Sequence, residues 1–236
     1  MPLPIPPLQD VVRLTGNDVA STVVNYRRHL ESPGPMWGYD PAKRQARAVF
    51  SLEMSREAAI KACGQRGHEA GRVFNEQVGG LIWDVANERG KFICHPITPR
   101  FLNLRADIAI KVDPQFLFVD GGRPFFFYLQ PRKGHVPNGS GLQVIASAIH
   151  SLFAVDEAEN AGLLLLDLSQ PEGCQDRAVA AYDFDELPPL PSSEMERFFQ
   201  RFVDAYDIVS KEGVIRKARR PRPEADKGED LFGPLG

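Results

Sequence analysis

The chain is poor in cysteine and histidine, nearly balanced in charge and without a long apolar run, and each shortage excludes something. Its three cysteines, Cys63, Cys94 and Cys174, are an odd number with no C-x-x-C spacing, so no complete disulfide framework fits them. Reduced thiols in a cytoplasm are expected. The five histidines form neither H-x-x-x-H nor H-E-x-x-H, which leaves a histidine-built zinc site without sequence support. No run approaches the roughly 20 apolar residues that span a bilayer, and the start "MPLPIPPLQD" lacks the charged and apolar regions of a signal peptide. A soluble, cytoplasmic protein with no membrane partner is the expectation. A formal net charge of -3 argues against a broadly basic surface, so any contact with nucleic acid should be local.

What is present is enough for one substantial core with appendages in 236 residues. Residues 1–50, rich in proline and arginine, read as an N-terminal arm that packs on the core; "DVASTVVNYRRHL" within it suits a short helix capped by Asp18. "ESPGPMWGYDP" then breaks regular structure. The core spans 51–212. Its first part is helical, with Ser55 as a cap followed by acidic Glu57, and with Phe74, Val78, Leu81, Ile82 and Val85 on one face of a helix from about His68 to Glu88. Residues 213–236, proline-rich and highly charged, are expected to be disordered.

"KFICHPI" and "FLNLRADIAIKV" read as strands, the second changing its apolar phase after Ala106. "QFLFV" and "RPFFFYLQ" are two more, joined by "DGG", a strong hairpin signal. "GLQVIASAIHSLFAV" carries an apolar helical face on Leu142, Ile145, Ala146, Ile149 and Phe153, and "AGLLLLDLS" is a strand buried on both faces. "RAVAAYDF" is a further strand, and "SSEMERFFQRFVDAYDIV" a closing helix with Ser192 or Ser193 as cap and Glu196 as capping-box acid. A meander needs antiparallel pairs and the helix after Gly141 permits a crossover, so the fold class is α/β, a mixed sheet flanked by helices.

One polar cluster stands out against this background. The apolar strand Phe125-Phe126-Phe127-Tyr128-Leu129 ends in Gln130, Arg132 and Lys133 around a proline, and Asp107 lies in the strand-forming segment "LRADIAI" upstream. This order of elements, with "LQPRKG" at the end of the third meander strand, resembles the PD-(D/E)XK nuclease superfamily and its RecB-like exonuclease branch over about residues 65–185. The resemblance implies a restriction-endonuclease-like core and hydrolysis of phosphodiester bonds of DNA, with weakly bound Mg²⁺ or Mn²⁺. Asp107 then looks like the metal-binding aspartate. Gln130 stands where an acid is usual, and Arg132 where the lysine is usual. Gln143 resembles the glutamine of the following helix, which positions substrate, and Glu76 in "AGRVFNEQV" resembles the residue that completes the metal shell.

The departures from that pattern leave alternatives open. Glutamine can ligate Mg²⁺ but brings no charge, and arginine can stabilise phosphate but never act as a base. Strand alternation puts Gln130 and Arg132 on one face and Lys133 on the other, unless a bulge at Pro131 swings Lys133 toward Asp107. Asp107 also reads as a buried aspartate held by backbone donors, Gln143 as a helix-surface residue, Glu76 as a solvated partner of Arg72, and Gln130, Arg132 and Lys133 as a strand end reaching solvent. Turn chemistry accounts for Asp113 and Asp120. A degenerate nuclease fold that binds nucleic acid or a partner protein without cutting explains Gln130 most simply.

Overall fold

The fold is built on one mixed sheet of five strands in the computed structural model, which describes residues 3–32, 37–134 and 138–214. Three helices come first: α1 (Leu8–Leu14), α2 (Val19–Glu31) and α3 (Asp40–Phe50). Next come α4 (Arg56–Gly64) and α5 (Arg72–Arg89), then β1 (Cys94–His95). A hairpin of β2 (Arg100–Arg105) and β3 (Ile108–Val112) forms a sheet of its own. The main sheet continues with β4 (Phe116–Asp120) and β5 (Arg123–Gln130), crosses over through α6 (Gly139–Phe153) to β6 (Gly162–Asp167), and ends with β7 (Ala180–Tyr182) before α7 (Ser192–Lys211). Its order is β1-β4-β5-β6-β7, with β5 and β6 parallel and every other pair antiparallel.

The continuous apolar runs of β5 and β6 are explained by their two covered faces. On one face Phe126, Tyr128, Leu163 and Leu165 join a core with α1, α2, α6, α7 and β3. On the other, Phe127, Leu129, Leu164 and Leu166 join a core with α3, α4 and α5. Phe50 of α3 centres the second core, with its ring centroid 5.0 Å from Phe127, 5.1 Å from Phe118 and 5.4 Å from Phe116. Such ring pairs add about 0.5–1.5 kcal/mol each beyond buried area. The arm therefore supplies part of the core itself.

Local chemistry sets the boundaries. Asp18 caps α2 in a reciprocal box with Ser21, and Ser55 caps α4 through the Ala58 amide. Gly121 and Gly122, at φ +56° and +81°, make the two-residue turn between β4 and β5, where right-handed strand twist favours positive φ. Three expectations need correction. "FLNLRADIAIKV" is not a single strand: its change of apolar phase marks the β2–β3 turn at Ala106 and Asp107. The closing helix begins after Pro191 with no side-chain cap, so Ser192 and Ser193 lie inside it. The strand expected in "KFICHPI" shrinks to Cys94–His95. Of the expected disordered tail, residues 215–236 lie outside the described residues.

Phe127 is fully buried, with Phe116 stacked on it and Phe50 tilted against it. Phe127→Ala should lower the unfolding free energy in urea by about 3–5 kcal/mol. Phe101→Ala, at a side chain 54% exposed on the outer hairpin, should change it by less than about 0.5 kcal/mol.

Candidate functional site

β5 leaves the sheet without a bulge. Beyond Gln130 its pairing with the segment after β6 continues: the Leu168 amide donates to the Gln130 carbonyl at 2.8 Å and the Gln170 amide to the Arg132 carbonyl at 2.8 Å. Gln130 stands opposite Asp167 and Lys133 opposite Gln170, three residues further on each strand, so nothing is inserted at Pro131. The proposed swing of Lys133 is thereby excluded. Lys133 projects to the α5 side, where its Nζ lies 3.9 Å from the centre of the Phe74 ring, itself stacked on Trp37. Arg132 projects to the opposite side, as strand alternation requires.

There α1 meets it. Asp10 accepts from the Arg132 guanidinium and, at 3.2 Å, from that of Arg13. Gln9 of the same helix donates to the Leu129 carbonyl at 3.0 Å and accepts from the Lys43 ammonium at 3.2 Å. Burial alone would raise the Asp10 carboxyl; Arg132 and Arg13 outweigh it and hold the group below its ordinary value. Lys43 keeps part of its stem exposed while its ammonium is enclosed, and desolvation lowers its pKa to about 8 against the pull of Asp40 and Asp113. Gly141 in the first turn of α6 eases the approach of α1, since a Cβ there would lie 3.2 Å from Val12.

The residues read from the sequence separate into places. Gln130 is 2% exposed and Gln143 shares a cleft with it; the Gln143 amide donates to the Pro188 carbonyl at 2.9 Å. Asp107 is not brought to them. It sits in the β2–β3 turn, 60% exposed, bonded to Arg105 at 2.6 Å, and Arg105 also holds Asp207 of α7 at 2.8 Å. That pairing lowers the Asp107 pKa. Glu76 is not brought to them either: its carboxylate lies against Gly64 of α4, where a Cβ would meet Oε1 at 2.3 Å. Asp10, Arg13, Lys43, Arg197 and Arg201 were not legible as site residues. An acid in the short segment "LQDVV" has no pattern to tie it to a strand 120 residues later.

These residues do not fit a Mg²⁺ or Mn²⁺ site. Gln130 offers a neutral oxygen, the carboxylate of Asp10 is engaged by two guanidinium groups, and Asp107 and Glu76 are elsewhere. Among the described residues no group of three or more His, Cys, Asp and Glu side chains is placed to hold a metal ion. Charge favours anions instead. A cleft of about 540 Å³ between α1, α6 and α7 is lined by Arg13, Arg197 and Arg201 against one carboxylate, Glu194. Comparison with protein-family models, curated proteins and solved structures finds no match to this chain.

The Lys43 environment gives a pH test. Its folded pKa, about 8, lies below the ordinary 10.5, so between those values the unfolded chain holds a proton that the folded chain has lost. Rising pH through that window therefore stabilises the fold, and below it the cost of the enclosed charge is present in full. Relative to Lys43→Met, the parent should gain on the order of 2 kcal/mol between pH 7 and pH 10 in urea unfolding. A difference independent of pH contradicts the enclosed ammonium.

Proposed function

We propose that this chain carries a nuclease-like fold whose site binds the phosphates of nucleic acid, DNA first among them, without cutting it. The order of elements supports the reading in part: helix α5, strands β1, β4 and β5, crossover helix α6 and the doubly buried β6 match the elements that the PD-(D/E)XK resemblance implies, while the β2–β3 hairpin with Asp107 is set apart from that sheet. The observation that carries the non-cleaving form is the pairing of Arg132 with Asp10 beside a buried, neutral Gln130.

The physical reason is charge. Hydrolysis of a phosphodiester through a metal asks for anionic oxygens to hold the cation with the phosphate and to lower the pKa of the attacking water. Of the two carboxylates at the end of β5, Asp10 serves as counter-ion to Arg132 and Arg13, and Asp167, buried opposite Gln130, accepts from Ser169 while burial raises its pKa. Guanidinium groups left over in the adjoining cleft suit phosphate oxygens, which accept their planar donors in pairs.

The test uses labelled single- and double-stranded DNA. With Mg²⁺ or Mn²⁺ both should stay intact, and binding followed by fluorescence anisotropy should weaken as salt rises. Replacing Arg197 and Arg201 together by glutamine should weaken binding about tenfold or more, and Asp107→Ala should leave it unchanged. Cleavage by the parent protein, or binding indifferent to salt, contradicts the proposal.

A further inference from the structure

The cleft between α1, α6 and α7 holds unsatisfied groups of both kinds. Arg13 Nε and Arg201 Nε are buried donors without acceptors, and Gln130 Oε1 is a buried acceptor without a donor. All three residues line the same cleft. Buried polar atoms are nearly always paired, so partners for these three are to be sought in water or in a ligand of the cleft.

The first turn of α6 faces that space through Asn138, Ser140 and Gly141. Asn138 uses its side chain on the Gly141 amide at 2.8 Å and its carbonyl on the Leu142 amide at 3.0 Å. The amides of Gly139 and Ser140 have no acceptor within the helix, and the first turn holds no acidic side chain. The positive end of a helix of 15 residues therefore lies beside three guanidinium groups. Gln130 is the independent sign of a ligand: it is 2% exposed, in the cleft wall, with its carbonyl oxygen unmet.

These groups together favour a ligand that carries both an anion and a donor. Inorganic phosphate can offer a P–OH to Gln130 Oε1 but fills only a small part of a space of about 540 Å³, and a neutral nucleoside leaves Arg13 Nε and Arg201 Nε without an anion. A phosphomonoester joined to a group with hydroxyl or N–H donors meets both, and a space of about 540 Å³ is of the size that takes such a ligand. The helix α1 lies across the end of β5, bonded to Leu129 through Gln9 and to Arg132 through Asp10, and closes one side of the cleft.

We infer that the cleft binds a nucleotide bearing a terminal phosphomonoester, its phosphate between Arg13, Arg197, Arg201 and the α6 N-terminus, and a hydroxyl or N–H donating to Gln130 Oε1. This rests on the reading that the site binds phosphate without cutting, and narrows it from the backbone of a strand to a terminal nucleotide. The source is either a free nucleotide or the phosphorylated end of a strand.

The experiment is isothermal titration of the full chain with AMP, adenosine and inorganic phosphate, and with a single-stranded DNA 20-mer carrying a 5′-phosphate or a 5′-hydroxyl. AMP should bind at least about tenfold more tightly than adenosine or phosphate, the loss expected for a charge-assisted contact. Arg201→Gln should weaken AMP about tenfold, and Gln130→Met should weaken AMP while leaving phosphate binding unchanged. Should Gln130→Met fail to fold, Arg197→Gln on the cleft wall carries the test in its place, with the same tenfold loss expected. A 5′-phosphorylated 20-mer tighter than AMP makes the strand end the source; equal affinity makes it the free nucleotide. Phosphate binding as tightly as AMP overturns the inference. So does failure of AMP alongside retained, equal binding of both 20-mers, which leaves the broader nucleic-acid reading standing; failure of all the probes overturns both.

Discussion

A strand covered on both faces has to bring its polar end somewhere, and at the end of β5 the need is met by one ion pair. Arg132 follows Gln130 on the α1 side of the sheet, and Asp10 meets its guanidinium there while also holding Arg13. An unmatched cation at that depth would be costly, which ties α1 to the strand end. Other contacts follow from this placement. Gln9, one residue earlier, caps the Leu129 carbonyl and takes the ammonium of Lys43, which links α1 to α3. The segment that the sequence presents as an arm is thus bonded to the centre of the sheet through α1, to which α3 is tied by Lys43.

The same pair decides what chemistry the site supports. A carboxylate that neutralises two guanidinium groups is poorly available to a divalent cation, and the amide of Gln130 adds no charge to compensate. Beside it the arginines of α7 and α1 outnumber the single Glu194 and leave buried donors unmet. The site is therefore rich in what binds phosphate and poor in what activates water. That balance, more than the order of strands, separates binding from cleavage here, because a fold alone does not fix an activity.

Much of the architecture was legible because it rests on local signals. The Gly121-Gly122 turn, the Asp18 and Ser55 caps and the unbroken apolar run of β6 each follow from a few neighbouring residues, and each stands in the structure as read. Strand alternation likewise separated Arg132 from Lys133 correctly, and the bulge imagined at Pro131 was unnecessary. Asp107 misled because the phase change after Ala106 has two causes, a bent strand or a turn, and only tertiary pairing separates them. Asp10, Lys43 and the arginines of α7 were hidden for a different reason: their meeting depends on helix packing across long sequence separations, which leaves no periodic trace. The serines at the start of α7 show the limit of cap preference, since Pro191 takes the position in front of them.

The measurement that tests this account most directly is a double-mutant cycle on Asp10→Asn and Arg132→Gln, read by urea unfolding. Both side chains are mostly buried, so the account predicts that the two losses fall short of additivity by about 1–3 kcal/mol, with the double variant more stable than the sum of the singles allows. Additive losses would mean that Asp10 does not hold Arg132, and the assignment of the α1 carboxylate as the counter-ion of the site would be wrong.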